Sequence, residues 1–124
     1  MGMIVLDTNA IIYYLQDDKK AVRVIEKLRR SENVIAISTI TEMELLSFPG
    51  LTDAELLRIS VWLNELFIVP VESSVAREAA KLKRENRIKT PDAIIAATAQ
   101  HYSAKLVTRD KSFQKISRLG IVLC

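Results

Sequence analysis

Cysteine occurs once in this 124-residue chain, at Cys124, and histidine once, at His101. One thiol excludes an intrachain disulfide and gives no support to an oxidising compartment, so a cytoplasmic location is the expectation. The same scarcity disfavours zinc, which calls for clustered thiolates or imidazoles. Nucleophilic catalysis by a Ser/His/Asp grouping finds no pattern to rest on, and there is no nucleophile elbow. Aromatic residues make up 6% of the chain and offer no base-stacking platform. Tyr13, Tyr14, Trp62 and Phe67 read instead as core or interface residues. Long apolar runs are missing as well: the opening MGMIVL meets Asp7 before it could serve as a secretory segment or span a membrane. Charge of one sign does not dominate either, since 18 basic and 15 acidic residues leave a net +3. Any basic surface must therefore be local.

What is present is apolar content, at 49%, enough to build the core of one domain covering residues 1–124. Short β-prone runs at residues 3–6, 34–37, 67–71, 105–108 and 121–123 read as strands. Between them lie segments of helical periodicity. Residues 10–15 follow the turn-favouring Asp7-Thr8-Asn9, and residues 19–30 place Val22, Ile25 and Leu28 at helical spacing. Residues 38–46 repeat Ile40, Met43 and Leu46, and Thr52-x-x-Glu55 forms a capping box ahead of a long amphipathic helix. Ser73 or Ser74 opens a further helix to about residue 86, and Thr90-Pro91 puts proline at the first turn of an alanine-rich one. A helical turn is expected around residues 113–116. Five strands alternating with helices predict an α/β fold, a parallel sheet flanked by helices on its faces. In such sheets ligands collect beyond the carboxyl ends of the strands.

Four acids fall at that edge. Asp7 follows the first strand directly, and Asp110 comes two residues after the fourth. Glu44 and Asp92 lie in early turns of helices that can start at the same rim. Each acid alone has a bland explanation in the preference of helix starts and turns for negative charge. Together they would repel one another unless cations neutralise them. All-oxygen ligands select a hard ion, so one or two Mg²⁺ or Mn²⁺ ions are the expected cofactor. Such an ion lowers the pKa of bound water and steadies charge developing on a phosphate, which points to phosphodiester hydrolysis. Glu42 competes with Glu44, but residues two apart lie about 200° apart on a helix and cannot both face one cleft.

The blocks DTNAIIYYL, STITEMEL, TPDAIIAATA and LVTRDKSF, in that order, resemble the four signature blocks of PIN domains over nearly the whole chain. The resemblance implies a single PIN-like domain with a five-stranded parallel sheet, and a metal-dependent endoribonuclease that cuts single-stranded or loop RNA. It is closest in kind to VapC-type toxins of VapBC toxin–antitoxin pairs. Asp7, Glu44, Asp92 and Asp110 match the family's catalytic and metal-binding acids, and Thr8, Asn9 and Thr108 match its polar supports. Glu44 is the acid that the family block selects over Glu42. Ser112 departs from the pattern, because many relatives carry a further Asp before the phenylalanine at Phe113; the fourth acidic position rests on Asp110. An antitoxin protein and a second copy of the chain are the partners the resemblance implies, with Tyr13, Tyr14 and Trp62 as contact residues.

Residues 81–89 contain five bases just before Asp92. Arg84, Arg87 and Lys89, with Arg109 beside Asp110, are therefore candidates to hold substrate phosphates, against the plainer reading of a solvated helix end. Two other functions fit the same acids less directly. One is a PIN nuclease in RNA processing without an antitoxin; the other is a catalytically silent PIN scaffold that binds partners.

Overall fold

The computed structural model describes residues 2–124. Its strands are β1 (Met3–Leu6), β2 (Val34–Ser38), β3 (Phe67–Val69), β4 (Lys105–Thr108) and β5 (Ile121–Leu123). Its helices are α1 (Thr8–Leu15), α2 (Lys19–Arg30), α3 (Thr39–Leu46), α4 (Asp53–Leu63), α5 (Ser73–Asn86) and α6 (Thr90–His101), with a 3₁₀ turn at Lys111–Lys115. The sheet is parallel throughout, in the order β3-β2-β1-β4-β5. The chain thus fills one side of β1 with β2 and β3, then crosses to the other with β4 and β5. The crevice where that reversal occurs lies between β1 and β4, and it is the place where open α/β sheets bind ligands.

Each face of the sheet carries its own core. On one, Val5, Ala36, Leu106 and Val69 pack against α5, α6 and the 3₁₀ turn through Val75, Ala79, Ala96, Ala99 and Phe113. Alanines make that helix pairing close, because small side chains let α5 and α6 approach each other and the sheet. On the other face, Ile4, Leu6, Ile35, Ile37 and Val107 meet Ala10 and Ile11 of α1, Ile25 of α2, and Leu45 and Leu63 of α3 and α4. Strands buried on both sides read as continuous apolar runs, which is what residues 3–6, 35–37 and 106–107 are.

Local signals set most boundaries. The capping box at Thr52 and Glu55 is fully formed, with Thr52 Oγ1 accepting from Glu55 N and Glu55 Oε1 accepting from Thr52 N, both at 3.1 Å. Several edges differ from the sequence-based expectation. α1 begins at Thr8, two residues early, because the Asp7 carboxylate accepts from Ala10 N and closes the first turn. β3 stops at Val69, ahead of Pro70, which has no N–H to offer a ladder. Glu72 stands at the cap position of α5 without a side-chain bond, so neither Ser73 nor Ser74 caps it. The 3₁₀ turn starts two residues before the expected Phe113, because Asp110 caps it through Ser112 N.

Candidate active site

Asp7 sits at the end of β1 and is only 4% exposed. Its N–H donates to Val107 O at 3.1 Å, continuing the β1–β4 ladder to the switch point. Its Oδ1 accepts from Ala10 N at 2.7 Å, and its Oδ2 accepts from the hydroxyl of Thr108 at the end of β4. The cap reading and the site reading therefore describe one side chain: the bond that starts α1 also aims the carboxylate. Thr108 Oγ1 in turn accepts from Asp110 N at 3.0 Å. One buried hydroxyl thus ties together the two acids that follow β1 and β4.

Glu44 is brought in from α3. Thr8 Oγ1 donates to Glu44 Oε1 at 2.7 Å and lies 3.1 Å from Thr41 Oγ1. Thr41 is fully buried one turn before Glu44 on the same helix face. Thr41 and Glu44 have the spacing of a capping box, yet the helix is capped by Ser38, whose Oγ accepts from Ile40 N. The Thr-x-x-Glu spacing was the available signal, but it marks a shared helix face as readily as a cap. Asp92 enters from the first turn of α6.

Asp7, Thr8, Asn9, Glu44 and Asp92 line one cleft of about 280 Å³, walled also by Ile12, Phe48 and Ile95. Glu44, rather than Glu42, is the acid that α3 contributes to it. Asp110 is exposed at the margin and outside that lining, yet its charge is felt by both Asp7 and Asp92. Burial is the main force raising the pKa of Asp7; bonds from Thr108 and Ala10 oppose it, and the charges of Asp92 and Asp110 add to it. Burial also raises Asp92, followed by repulsion from Asp110 and Glu44. Asp110 goes the other way, lowered first by the bond from Ser112 N, with help from Lys115 and Lys89. The ionised form is therefore disfavoured on buried Asp7 and half-buried Asp92.

The donors available are carboxylates and hydroxyls, the chemistry of a hard divalent cation. Among the described residues, no three His, Cys, Asp or Glu side chains form a ready-made metal cage. Mg²⁺ does not require one, because it characteristically keeps several waters and takes one or two carboxylates. The residues fit such an ion by donor type and by the charge that repels within the cleft.

The proposed phosphate contacts are placed unequally. Lys89 immediately precedes α6, and its charge acts on Asp92 and Asp110, so it stands at the rim. Lys115, which the sequence did not single out, joins it beside Asp110. Arg84 is in the last turn of α5 and Arg87 ends that helix with a left-handed φ of 53°; neither lines the cleft. Arg109 is engaged elsewhere. Its Nε donates to Cys124 O at 2.7 Å, its guanidinium pairs with Asp18, and its Cζ lies 4.0 Å above the Tyr13 ring. Tyr13 and Tyr14 are likewise tied inward: Tyr14 bonds Glu26 and stacks on Trp62 with ring centroids 5.4 Å apart.

A buried acid at a parallel-sheet switch point, joined by acids from two helices and bordered by Asp110, makes a cleft built on carboxylates rather than on a side-chain nucleophile. The chain belongs to the PIN domain family, whose model matches residues 4–119. Its fold recurs in solved toxin–antitoxin structures. A chain in the structure of VapBC2 from Rickettsia felis, bound to a DNA fragment from their promoter, superposes with a TM-score of 0.86 at 24% identity, covering 98% of each chain. A toxin–antitoxin complex from Klebsiella pneumoniae gives 0.82 at 29% identity, over 96% of this chain and 95% of that one. VapBC-1 from nontypeable Haemophilus influenzae gives 0.80 at 26%, over 97% and 96%. A comparison with curated protein sequences finds no match.

Proposed function

We propose that this PIN domain is a Mg²⁺- or Mn²⁺-dependent endoribonuclease and the toxin of a VapBC-type toxin–antitoxin pair. The observation that carries the reading is the convergence of Asp7, Glu44 and Asp92 in one cleft, with Asp7 and Asp92 both pushed upward in pKa. A bound divalent ion supplies charge neutralisation and an activated water for in-line attack on a phosphodiester. Asp7 and Asp92 are the residues to hold it. Thr108 keeps the Asp7 carboxylate oriented, and Thr8 does the same for Glu44, whose carboxylate would take up a proton released in the cleft. Asp110 borders the cleft with Lys89 and Lys115, whose cations offset the repulsion a polyanionic strand meets there.

The partner reading has its own support. The structures this chain resembles are toxin–antitoxin complexes. Beside the acidic cleft lies an apolar groove of about 410 Å³ between α1, α3 and α4, lined by Ile12, Leu15, Leu45, Phe48, Ile59 and Trp62 among others. Ile12 and Phe48 belong to both, so an antitoxin segment laid in the groove closes the cleft. Leu57, Val61 and Phe67, more than half exposed, offer further apolar surface for a homodimer. No helix among the described residues is long and apolar enough to cross a membrane.

The test is cleavage of structured and single-stranded RNAs by purified protein with Mg²⁺, Mn²⁺ or EDTA, alongside Asp7→Asn. Cleavage that needs metal and vanishes in the folded variant is the expected result. No cleavage of any RNA, with no Mn²⁺ binding by calorimetry, would replace the nuclease with a silent scaffold.

A further inference from the structure

The charge of this protein is concentrated on one helix. The whole chain has 18 bases and 15 acids, a net +3, whereas α2 has six bases and one acid, a net +5; the remainder is therefore −2. At about 100° per residue, Lys19, Lys20, Arg23, Lys27 and Arg30 fall within an arc of roughly 100°, on the side away from the buried Ala21 and Ile25. All five are exposed, and among the described residues none is in an ion pair. The sixth base, Arg29, is the one that is matched, by Glu26 and Glu65. An ordinary solvated face looks different: α5 intersperses Arg77, Lys81, Lys83 and Arg84 with Glu78 and Glu85.

Helix electrostatics accounts for two of the five cations in the stripe. Lys27 and Arg30 lie at the carboxyl end, where cations complement the macrodipole. Lys19 and Lys20 occupy the first turn, where cations are disfavoured and where the one acid beside them, the cap Asp18, is already paired with Arg109. That end of α2 is also the end next to the acidic site. Asp18, which caps the helix, pairs with Arg109, the residue directly before Asp110. From there the stripe runs about 18 Å down the helix, the span of several backbone phosphates.

We infer that the exposed cations of α2 form a track for the sugar-phosphate backbone of single-stranded RNA, holding the strand beyond the cleft that cuts it. The inference rests on the ribonuclease reading above. An acidic protein segment is the other ligand such charges attract. RNA is favoured because the stripe starts at a rim that itself repels phosphates, and the rest of the chain, being net negative, supplies no comparable attraction.

The experiment is fluorescence anisotropy of a fluorescein-labelled oligouridylate of about 20 nucleotides, in EDTA, across a salt series. The triple variant K20Q/R23Q/K27Q should bind at least about ten-fold more weakly, with a log–log salt slope shallower by about 2, since each lost phosphate contact removes roughly 0.7 on a single strand. A control, K81Q/K105Q/R118Q, removes the same charge from the opposite end of the sheet and should stay within about two-fold of wild type. Unchanged affinity and slope in the α2 variant would overturn the track. So would an equal loss in the control, which would reduce the effect to net charge, or tighter binding of a polyglutamate peptide than of the oligouridylate. Should the triple variant melt below the assay temperature, the three single variants carry the same expectation at about 0.7 of slope each. Binding in EDTA is independent of cleavage, so wild-type protein that cuts no RNA would refute the nuclease reading by a different result.

Discussion

The two ends of the sheet treat charge in opposite ways. At the amino end, a cavity of about 690 Å³ is lined by Lys81, Lys105 and Arg118 together with Glu78 and Glu85, so both signs are interspersed. At the carboxyl end, the cleft is lined by Asp7, Glu44 and Asp92, with no base among its walls. The scaffold beneath the two is the same set of strands. What differs is that the amino end mixes charges of both signs, while the carboxyl end holds buried Asp7 and half-buried Asp92 above their ordinary pKa. Burial leads both shifts and repulsion between the acids adds to it; a bound cation would relieve both.

The sharpest way to break the comparison is Asp7→Asn. Cleavage should fall by more than about 100-fold, beyond what supporting residues of metal sites usually cost, while the variant melts higher than wild type in EDTA at neutral pH. Thermal melts beside activity assays check both halves. Lower stability would show that the Ala10 and Thr108 bonds outweigh the burial of charge.

Next in size is Thr108→Val, which removes the hydroxyl shared by Asp7 and Asp110 without changing side-chain shape. A loss of about 10- to 100-fold in turnover is expected, with the RNA affinity measured in EDTA unchanged. Equal turnover would mean that the hydroxyl does not orient the acid.

The pH dependence of stability sharpens the contrast without mutation. Asp7 and Asp92 have folded pKa values above the ordinary 3.8, so the folded state holds their protons more tightly than the unfolded chain does. Stability therefore falls as pH rises from about 3.8 through their folded values, and the loss is complete above them. Asp110, lowered, works in the opposite sense: its contribution is present above the ordinary value and fades as pH falls through its folded one. Melting of wild type in EDTA should weaken across the upper window, and millimolar Mn²⁺ should restore several degrees at neutral pH, with a smaller gain in Asp7→Asn. A melting curve indifferent to Mn²⁺ would argue against a metal at this end.

The smallest effect belongs to the amino end. Lys105→Gln should change stability by no more than about 0.5 kcal/mol, because exposed mixed charges contribute little, and cleavage should not respond at all. A clear loss of cleavage from that substitution would dissolve the distinction between the two ends.

Local sequence determined a good deal of this protein. Apolar runs gave the strands, helical spacing gave three of the six helices, and turn clusters, Pro91 and the Thr52–Glu55 box marked helix starts because those signals act within one turn of backbone. Asp7 and Asp110 could be named because each follows a strand, and Asp92 because it opens a helix, since chain order alone puts such residues at one edge of a parallel sheet; Glu44, expected in an early turn, is instead the sixth of the eight residues of α3 and reaches the cleft from the last turn of its helix. Tertiary structure decided what spacing cannot encode. Thr108 reaches Asp7 across 101 positions, Thr8 reaches Glu44 across 36, and Arg109 is drawn to Asp18 across 91. Those pairings depend on which strand lies beside which, and that order is set by burying two apolar faces at once. Burial then fixes the electrostatics, since an aspartate's pKa depends on the water it has lost and the charges it meets, neither of which is written next to it in the chain.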